Sequence, residues 1–220
     1  MKLKSFGCSF IFGSELSDDQ GALKPSNLSW PALLAQHLDY DYQTFARPGS
    51  GNLQIAEQVL QHAAKDDPAL FVIGWTWVDR YDHWDPLKFK WKTILPTDTE
   101  YLSTLYYRDL HSEYRDKLTT LMTVRVVIDT LKQKGIPFIM THMDDLMFDQ
   151  QWHSNGATKD LQAYIQPYVT RFEGKTFLDW SRGNGYPESA LWHPLDEAHR
   201  AGADYVIKIF DKQIAKSKPV

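Results

Sequence analysis

Short apolar runs alternate with amphipathic stretches along this chain, and this alternation constrains the fold more than any other feature of the sequence. The runs "LFVIGW" (70–75) and "IPFIMTH" (136–142) have the continuous apolar character of strands that are covered on both faces. Residues 51–65 and 116–135, which precede these runs, carry apolar side chains at helical spacing. Strands that alternate with helices predict a mainly parallel sheet with helices packed against it.

The same pattern extends towards both ends of the chain. It predicts further strands at 3–8, 42–46 and 175–180, and further helices at 29–38, 157–169 and 194–215. The predicted fold class is therefore α/β, and the length of 220 residues fits one domain. In such sheets the functional crevice lies beyond the carboxyl ends of the strands. Candidate site residues are therefore expected in the turns after residues 8, 46, 74 and 141, and near the start of the terminal helix.

Charge and cysteine content exclude several classes of function. The net charge is −4 and the pI is about 6.0, which argues against a nucleic-acid partner. The single cysteine, Cys8, excludes an intrachain disulfide, and no Cys/His group has zinc-site spacing. No run approaches the ~18 apolar residues of a membrane-spanning helix, and the N-terminal run is too short for a signal peptide. These observations predict a cytoplasmic protein with no membrane partner.

Residues 80–115 depart from the regular alternation. They follow the strand at 70–75 without simple periodicity and contain eight of the chain's aromatic residues. A stretch this long without its own periodicity is usually functional or disordered, and the aromatic content argues against disorder. We interpret it as an insertion that forms a pocket wall or lid, a partner surface or additional core.

Residue types suited to nucleophilic catalysis occur at the predicted strand ends. Ser9 follows the first strand, and a serine hydroxyl becomes a nucleophile when a nearby base removes its proton. The turn "ARPGSGN" (46–52) contains Gly49 and Gly51, which allow backbone amides to approach a ligand closely. His193 precedes the terminal helix and is expected near the end of the first strand. A polar serine in a strand and an ordinary glycine turn are the simpler interpretations of the first two features.

The order of four short blocks resembles the SGNH, or GDSL-type, hydrolase superfamily. The blocks are "FGCSF", "ARPGSGNLQI", "FVIGWTWVDR" and "HPLDEAHRAGADYVIKI", and together they span the chain. The resemblance implies one domain over residues 1–220, with a three-layer α/β/α sandwich and a flavodoxin-like sheet. It also implies hydrolysis of an acyl ester without a metal or another cofactor. Ser9 would attack the carbonyl and His193 would accept its proton.

The resemblance also implies an oxyanion hole, which is the set of donors that stabilises the negative oxygen formed during attack. Its donors would be the amides of Ser9 and of the glycine turn, where Gly51 is the first choice and Gly49 and Ser50 follow. The family has an asparagine after the third strand, whereas Thr76 stands at about that position here. The side chain of Asn52 is the alternative donor.

Two acidic positions of the family motif also differ in this chain. Cys8 stands where the family has an aspartate in the first block; a buried, inert thiol is favoured over a second nucleophile. Ala190 stands three residues before His193, where the family has the aspartate that orients the histidine. Glu188 or Asp179 would then orient His193, or Ser9 and His193 would act as a dyad.

An alternative register uses Asp196 and His199, which have the Asp-x-x-His spacing of the family. These two residues fall within the predicted terminal helix, where a pair three residues apart shares one face and forms surface ion pairs. No proline follows His199, whereas Pro194 follows His193 as in the family motif. We therefore favour His193.

Other polar and aromatic residues at the strand ends are candidates for substrate binding. Trp75 or Trp77 could stack on a sugar ring, although core packing is the simpler interpretation for at least one of them. Arg80 could bind a substrate carboxylate or anchor the insertion through an ion pair. His142, with Asp144, could contact substrate or a divalent cation, but capping of a loop is the favoured interpretation of these two residues.

The leading functional hypothesis is a serine esterase that acts on a small-molecule or carbohydrate ester. The main alternative is a catalytically degenerate binding module of the same fold, for carbohydrate or protein, because the asparagine and the aspartate of the motif are missing. A weaker third hypothesis is a metal-dependent phosphoesterase that uses His142 and Asp144.

Overall fold

The computed structural model describes residues 1–21, 23–65 and 67–217, with side chains described up to residue 211. The strands are β1 (Lys2–Phe6), β2 (Asp41–Thr44), β3 (Ala69–Trp75), β4 (Tyr81–Asp85), β5 (Lys90–Ile94) and β6 (Phe138–His142). The α-helices are α1 (Ser9–Phe12), α2 (Trp30–His37), α3 (Asn52–Ala63), α4 (Tyr101–Leu105), α5 (Glu113–Gln133), α6 (Gly156–Ile165), α7 (Phe177–Gly183) and α8 (Asp196–Ser217). Within the described ranges, none of these helices has the length and apolar content needed to cross a membrane.

In the described part of the chain, four parallel strands form the central sheet in the order β2-β1-β3-β6. A single bridge between Met140 and Val169 adds a fifth parallel position beside β6. With this bridge, the order matches the flavodoxin-like arrangement, in which the chain starts near the middle of the sheet and extends first to one side and then to the other. The predicted α/β class with a mainly parallel sheet is therefore confirmed.

Buried side chains of β3 alternate between two apolar cores, one on each face of the sheet. Leu70 and Val72 belong to the core that contains residues of α2, α7 and α8. Phe71 and Ile73 belong to the core that contains residues of α3, α5 and α6. Because successive side chains of a strand point to opposite faces, β3 is covered on both sides. This explains its continuous apolar sequence and confirms the three-layer α/β/α sandwich.

The prediction of a last strand at 175–180 is wrong, because this segment begins helix α7. Thr176 caps the helix, since its hydroxyl oxygen accepts the Asp179 N–H at 3.1 Å. Phe177, Leu178, Trp180 and Ser181 are buried, and this spacing places them on one helical face. The apolar run was too short to distinguish a strand from one face of a helix.

The stretch at 80–115 forms a hairpin of β4 and β5, then α4 and a π-helical turn at Tyr106–Leu110. The Asp82 carboxylate attaches the hairpin to the start of α3. It accepts the Gly51 N–H at 3.1 Å, the Gln54 N–H at 2.9 Å and the Thr93 hydroxyl at 2.5 Å. A carboxylate is favourable there because the first amides of a helix have no acceptor within the helix. The hairpin therefore packs against the turn between β2 and α3, at the carboxyl edge of the sheet.

Candidate active site

Ser9 lies where the chain leaves the carboxyl end of β1 and starts the short helix α1. Gly7 allows this sharp turn, because a Cβ atom at that position would lie 2.5 Å from Ile11 Cγ1 and 3.0 Å from the Gly74 carbonyl oxygen. Cys8 is buried, and its carbonyl oxygen accepts the N–H groups of Ile11 and Phe12. The side chain of Ser9 is directed towards His193, with 2.9 Å between Ser9 Oγ and His193 Nε2.

His193 lies in a tight loop that precedes α8. The loop is closed by a hydrogen bond from the Ser189 N–H to the His193 carbonyl oxygen at 2.9 Å. Within the loop, Ser189 Oγ accepts the His193 N–H at 3.1 Å and the Leu191 N–H at 3.2 Å. The imidazole packs edge-on against Phe10 with 5.2 Å between ring centres. The ring is therefore held by both its backbone and its apolar neighbour.

The other ring nitrogen of His193 contacts a carboxylate that the sequence analysis did not single out. Nδ1 is hydrogen bonded to Glu15 Oε2, and the same oxygen accepts the Ser189 hydroxyl at 2.5 Å. These two hydrogen bonds, first from Ser189 and then from His193, lower the pKa of Glu15. Glu15 is therefore ionised near neutral pH. The one signal in the sequence is a carboxylate six residues after Ser9.

The two acids expected to orient His193 have other partners. Glu188 pairs with Arg182, with 2.8 Å between Arg182 Nε and Glu188 Oε1. Asp179 accepts the Thr176 hydroxyl at 2.8 Å at the start of α7. These predictions are corrected because both carboxylates are used within their own segment, whereas Glu15 comes from the other end of the chain.

The alternative pair of Asp196 and His199 does not face Ser9. His199 is buried in the core, where Nδ1 accepts the Trp30 N–H at 3.0 Å and the ring packs against Phe177. Asp196 Oδ1 accepts the Ser17 N–H at 3.0 Å, and Oδ2 accepts the Ser17 hydroxyl. The pair therefore fixes α8 to α2 and to the loop after α1.

His199 is expected to make folding stability dependent on pH. Burial lowers the pKa of His199 to about 3, whereas the unfolded chain protonates this residue near 6.5. Between these values the unfolded state binds more protons, so stability falls as pH falls. His199→Asn keeps an acceptor for the Trp30 N–H but removes this titration. Between pH 7 and pH 5 the free energy of unfolding falls in the wild type, and we expect this fall to be about 2 kcal/mol smaller in the variant. Urea titrations at both pH values measure this; equal losses would contradict the assignment.

Two of the predicted oxyanion donors are used elsewhere. The Gly51 amide donates to Asp82 Oδ1, so the first choice from the sequence is corrected. The Asn52 side chain is also occupied, because Nδ2 donates to the Thr76 carbonyl oxygen at 3.2 Å and Oδ1 accepts the Thr76 N–H at 2.9 Å. Asn52 therefore holds the turn after β3 in place. Neither contact was predictable, because each joins segments more than 20 residues apart in the sequence.

Other candidate donors remain at the same edge of the sheet. Thr76 is fully buried, and its hydroxyl has no hydrogen-bond partner among the residues that the structure describes. Gly49 has the left-handed backbone (φ 81°) that glycine favours, and the Ser50 N–H donates to the Arg47 carbonyl oxygen at 3.2 Å. The Ser9 amide lies in the first turn of α1, where amides have no intrahelical acceptor.

The two tryptophans after β3 differ in their surroundings. Trp75 is fully buried and packs in the core beneath α3 and α5, so its prediction as a sugar-stacking residue is corrected. Trp77 is half-buried and packs against Phe10, with 5.5 Å between ring centres. Phe10 also contacts His193, so Trp77 lies on the same side of the sheet edge as the Ser9–His193 pair.

Arg80 stacks on Trp77 at 4.7 Å from the ring centre, and its guanidinium donates to the Ser50 carbonyl oxygen at 3.0 Å. Arg80 therefore links the turn after β2 to the turn after β3. Arg80 also lines a small pocket of about 140 Å³ with Asn52 and Arg115, which contains neither Ser9 nor His193.

His142 and Asp144 have separate structural partners. His142 is buried, with its Nε2 3.1 Å from Asp145 Oδ1 and 3.0 Å from Arg171 Nη2, so its prediction as a substrate contact is corrected. The Asp144 carboxylate accepts the N–H groups of Val78 and Leu146, and burial raises its pKa. Among the described residues, no group of three His, Cys, Asp or Glu side chains is arranged to hold a metal ion.

Comparison with known proteins reveals similarity in structure. No protein-family model matches the chain, and neither does any curated sequence. A lipolytic protein of the G-D-S-L family from Veillonella parvula superimposes with a TM-score of 0.55 at 15% identity, over 96% of this chain and 98% of that one. A putative lipolytic protein of the same family from Desulfitobacterium hafniense gives 0.53 at 12% identity, over 94% and 98%.

An enzyme with a described activity is also similar. An acetyl xylan esterase (Est2A) from Butyrivibrio proteoclasticus gives a TM-score of 0.54 at 13% identity, over 99% of this chain and 64% of that one. At such identities the likeness concerns the fold. The arrangement of the sheet, the helical layers and these superpositions agree, and the chain has the fold of the SGNH (GDSL-type) hydrolases.

Proposed function

We propose that the protein is a serine hydrolase that cleaves acyl esters, with Ser9 as the nucleophile and His193 as the base. The observation that carries this proposal is the 2.9 Å separation between Ser9 Oγ and His193 Nε2 at the carboxyl edge of the sheet. This is hydrogen-bond distance for proton transfer from an alcohol to an imidazole. The similarity to esterases of the same fold supports this reaction class.

The geometry supports a two-step acyl transfer. In the first step, Ser9 Oγ forms a bond to the ester carbonyl carbon while His193 Nε2 takes the hydroxyl proton. The tetrahedral intermediate then expels the alcohol, which receives that proton from His193, and an acyl-serine remains. In the second step, water attacks the acyl-serine with the same histidine as base. The carboxylic acid leaves and Ser9 regains its proton.

The oxyanion of each tetrahedral intermediate needs donors that are already in position. We assign this role to the Ser9 amide and the Thr76 hydroxyl, with the Gly49 amide as a further candidate in the second turn. The Thr76 hydroxyl supports the assignment because it follows β3 at the carboxyl edge of the sheet and has no hydrogen-bond partner among the described residues. The Asn52 side chain, which bonds both the N–H and the carbonyl group of Thr76, would act as the support of this donor.

Replacement of Thr76 by valine tests the proposed donor. Valine has almost the same shape as threonine but lacks the hydroxyl, so we expect kcat to fall about 100-fold with little change in KM. The melting temperature should stay the same or rise, because an unpaired buried hydroxyl is removed. Steady-state kinetics on a short-chain ester and thermal melts measure both effects. A kcat within twofold of the wild type would remove Thr76 from the oxyanion hole.

We propose a carbohydrate ester with a small acyl group as the substrate class. The half-buried Trp77 beside Phe10 offers an aromatic surface near His193, as a sugar ring would require. Several similar structures are described as esterases of carbohydrate, including the acetyl xylan esterase above. Acetylated xylan fragments and 4-nitrophenyl acetate are therefore suitable first substrates.

Covalent labelling distinguishes an esterase from a binding module of the same fold. A fluorophosphonate reacts with an activated serine and leaves a stable phosphonyl group on its oxygen. We expect the folded protein to acquire one such group, located on Ser9 by peptide mass spectrometry. Heat-denatured protein provides the control and should not react. If the folded protein remains unlabelled and hydrolyses no ester, while sugars still bind it, the binding-module alternative is favoured.

A further inference from the structure

Glu15 occupies the position next to His193 that an orienting acid needs, although it comes from the opposite end of the chain. We infer that Glu15 orients His193 and stabilises its protonated form. It would take the role of the aspartate of the SGNH motif, whose position is occupied by Ala190 in this chain. The inference rests on the proposed roles of Ser9 and His193. Glu15 is a positioning residue in this scheme, because it acts on the substrate only through the imidazole.

The hydrogen bonds around the imidazole fix which nitrogen carries the proton. An ionised carboxylate only accepts hydrogen bonds, so the contact between Glu15 Oε2 and His193 Nδ1 requires a proton on Nδ1. In the neutral ring Nε2 is then unprotonated and accepts the Ser9 hydroxyl. This is the tautomer that a general base needs. When Nε2 takes the serine proton, the ring becomes positive and the Glu15 charge stabilises it.

Ser189 connects Glu15 to the backbone of His193. Its hydroxyl donates to Glu15 Oε2 at 2.5 Å and accepts the His193 N–H at 3.1 Å. The carboxylate is therefore fixed relative to both the ring and the main chain of the histidine. Two donors on one carboxylate oxygen also keep Glu15 ionised, so the negative charge is present when the ring is protonated.

The backbone conformations of the two segments that meet at the Glu15–His193 contact also support a functional role for the Glu15 side chain. Glu15 and Trp192 both have φ of 64°, in the left-handed region that few residues other than glycine adopt. The Glu15 N–H donates to Asp19 Oδ2 at 2.7 Å, and Ser17 is bonded to Asp196 at the start of α8. Such strained conformations persist where surrounding contacts hold them, and they concentrate at functional sites.

Ser9 is the first residue of α1 and Glu15 lies three residues after the end of this helix, so one short segment supplies both contacts of the imidazole. The Glu15 side chain is 34% exposed, whereas that of His193 is 14% exposed. Water therefore weakens the interaction between the carboxylate and the protonated ring, compared with a fully buried acid. We expect a smaller effect than the roughly 10⁴-fold loss caused by removal of a buried triad aspartate.

The test compares Glu15→Gln with Glu188→Gln, which changes an acid of the His193 loop that contacts Arg182 instead. Glutamine keeps the length of Glu15 but removes its charge. We expect kcat on a short-chain ester, and the rate of fluorophosphonate labelling, to fall about 100-fold in Glu15→Gln with KM nearly unchanged. Glu188→Gln should stay within threefold of the wild type. Ser189→Ala, which leaves the carboxylate in place, should lower kcat about fivefold.

Proton NMR provides a readout that does not require activity. A proton shared between Nδ1 of an imidazole and a carboxylate resonates at low field, and we assign this signal with a His193→Ala sample. It should persist in Ser9→Ala and Glu188→Gln and move upfield in Glu15→Gln. If the wild type neither labels nor hydrolyses esters, the proposed function fails and this comparison alone decides the role of Glu15. An unchanged signal or an unchanged kcat in Glu15→Gln would overturn the inference.

Discussion

Ser9→Ala should reduce ester hydrolysis by about 10⁴-fold or more and abolish labelling by fluorophosphonates. The reason is that no acyl-serine forms without the Ser9 oxygen, which lies 2.9 Å from the His193 imidazole. Folding should be preserved, because alanine suits the first turn of α1 and the apolar contacts of Phe10 and Ile11 remain. We expect the melting temperature to change by no more than about 3 °C.

Ser14→Ala is a matched control for this experiment. Ser14 is buried and lies five residues after Ser9, and within the described part of the chain its hydroxyl has no hydrogen-bond partner. Its loss should leave hydrolysis within about twofold of the wild type, since the hydroxyl contacts no group in the proposed mechanism. Hydrolysis that survives in Ser9→Ala would show that another group is the nucleophile.

His193→Ala should lower kcat by about 10⁴-fold, because the Ser9 hydroxyl then has no base to accept its proton. The matched control is His199→Asn, which changes the other histidine of the two alternative registers. His199 contacts the Trp30 amide, so this variant should keep kcat within about threefold of the wild type. Stopped assays on the two variants, with circular dichroism to verify folding, provide the comparison. Loss of activity in His199→Asn with full activity in His193→Ala would reverse the assignment of the base.

The architecture was accessible from the sequence because buried parallel strands have a distinctive composition. The runs that became β3 and β6 are apolar on both faces, and the intervening helices have clear periodicity. The rule that strand ends share one edge of a sheet also led to Ser9. His193 was expected beside it after a last strand at 175–180, which is helix α7 in the structure. Their side chains nevertheless meet, and their catalytic roles stay predictions. The segment that became α7 was misassigned because six residues fit either a strand or a helix.

Details of the site depended on contacts that the sequence does not encode locally. Glu15 was missed because its position relative to His193 results from a left-handed turn and from the packing of two distant loops. The Gly51 amide was assigned to the oxyanion hole, but it donates a hydrogen bond to Asp82 of the hairpin. Trp75 and Trp77 are the same residue type two positions apart, so the sequence does not distinguish them. In the structure β3 ends at Trp75, which is buried in the core, whereas Trp77 follows the strand and is half-buried.

The order in which the segments are synthesised has a consequence for when the contact between Ser9 and His193 forms. The segment of Ser9 and Glu15 leaves the ribosome before the loop of Ser189 and His193, which follows more than 170 residues later. Long-range contacts of this kind form slowly, because a large chain loop must close before they are gained. A nascent chain can therefore assemble β1, β2 and β3 before Ser9 and His193 meet. The contact between Ser9 and His193 would form as a late event, after most of the sheet has been made.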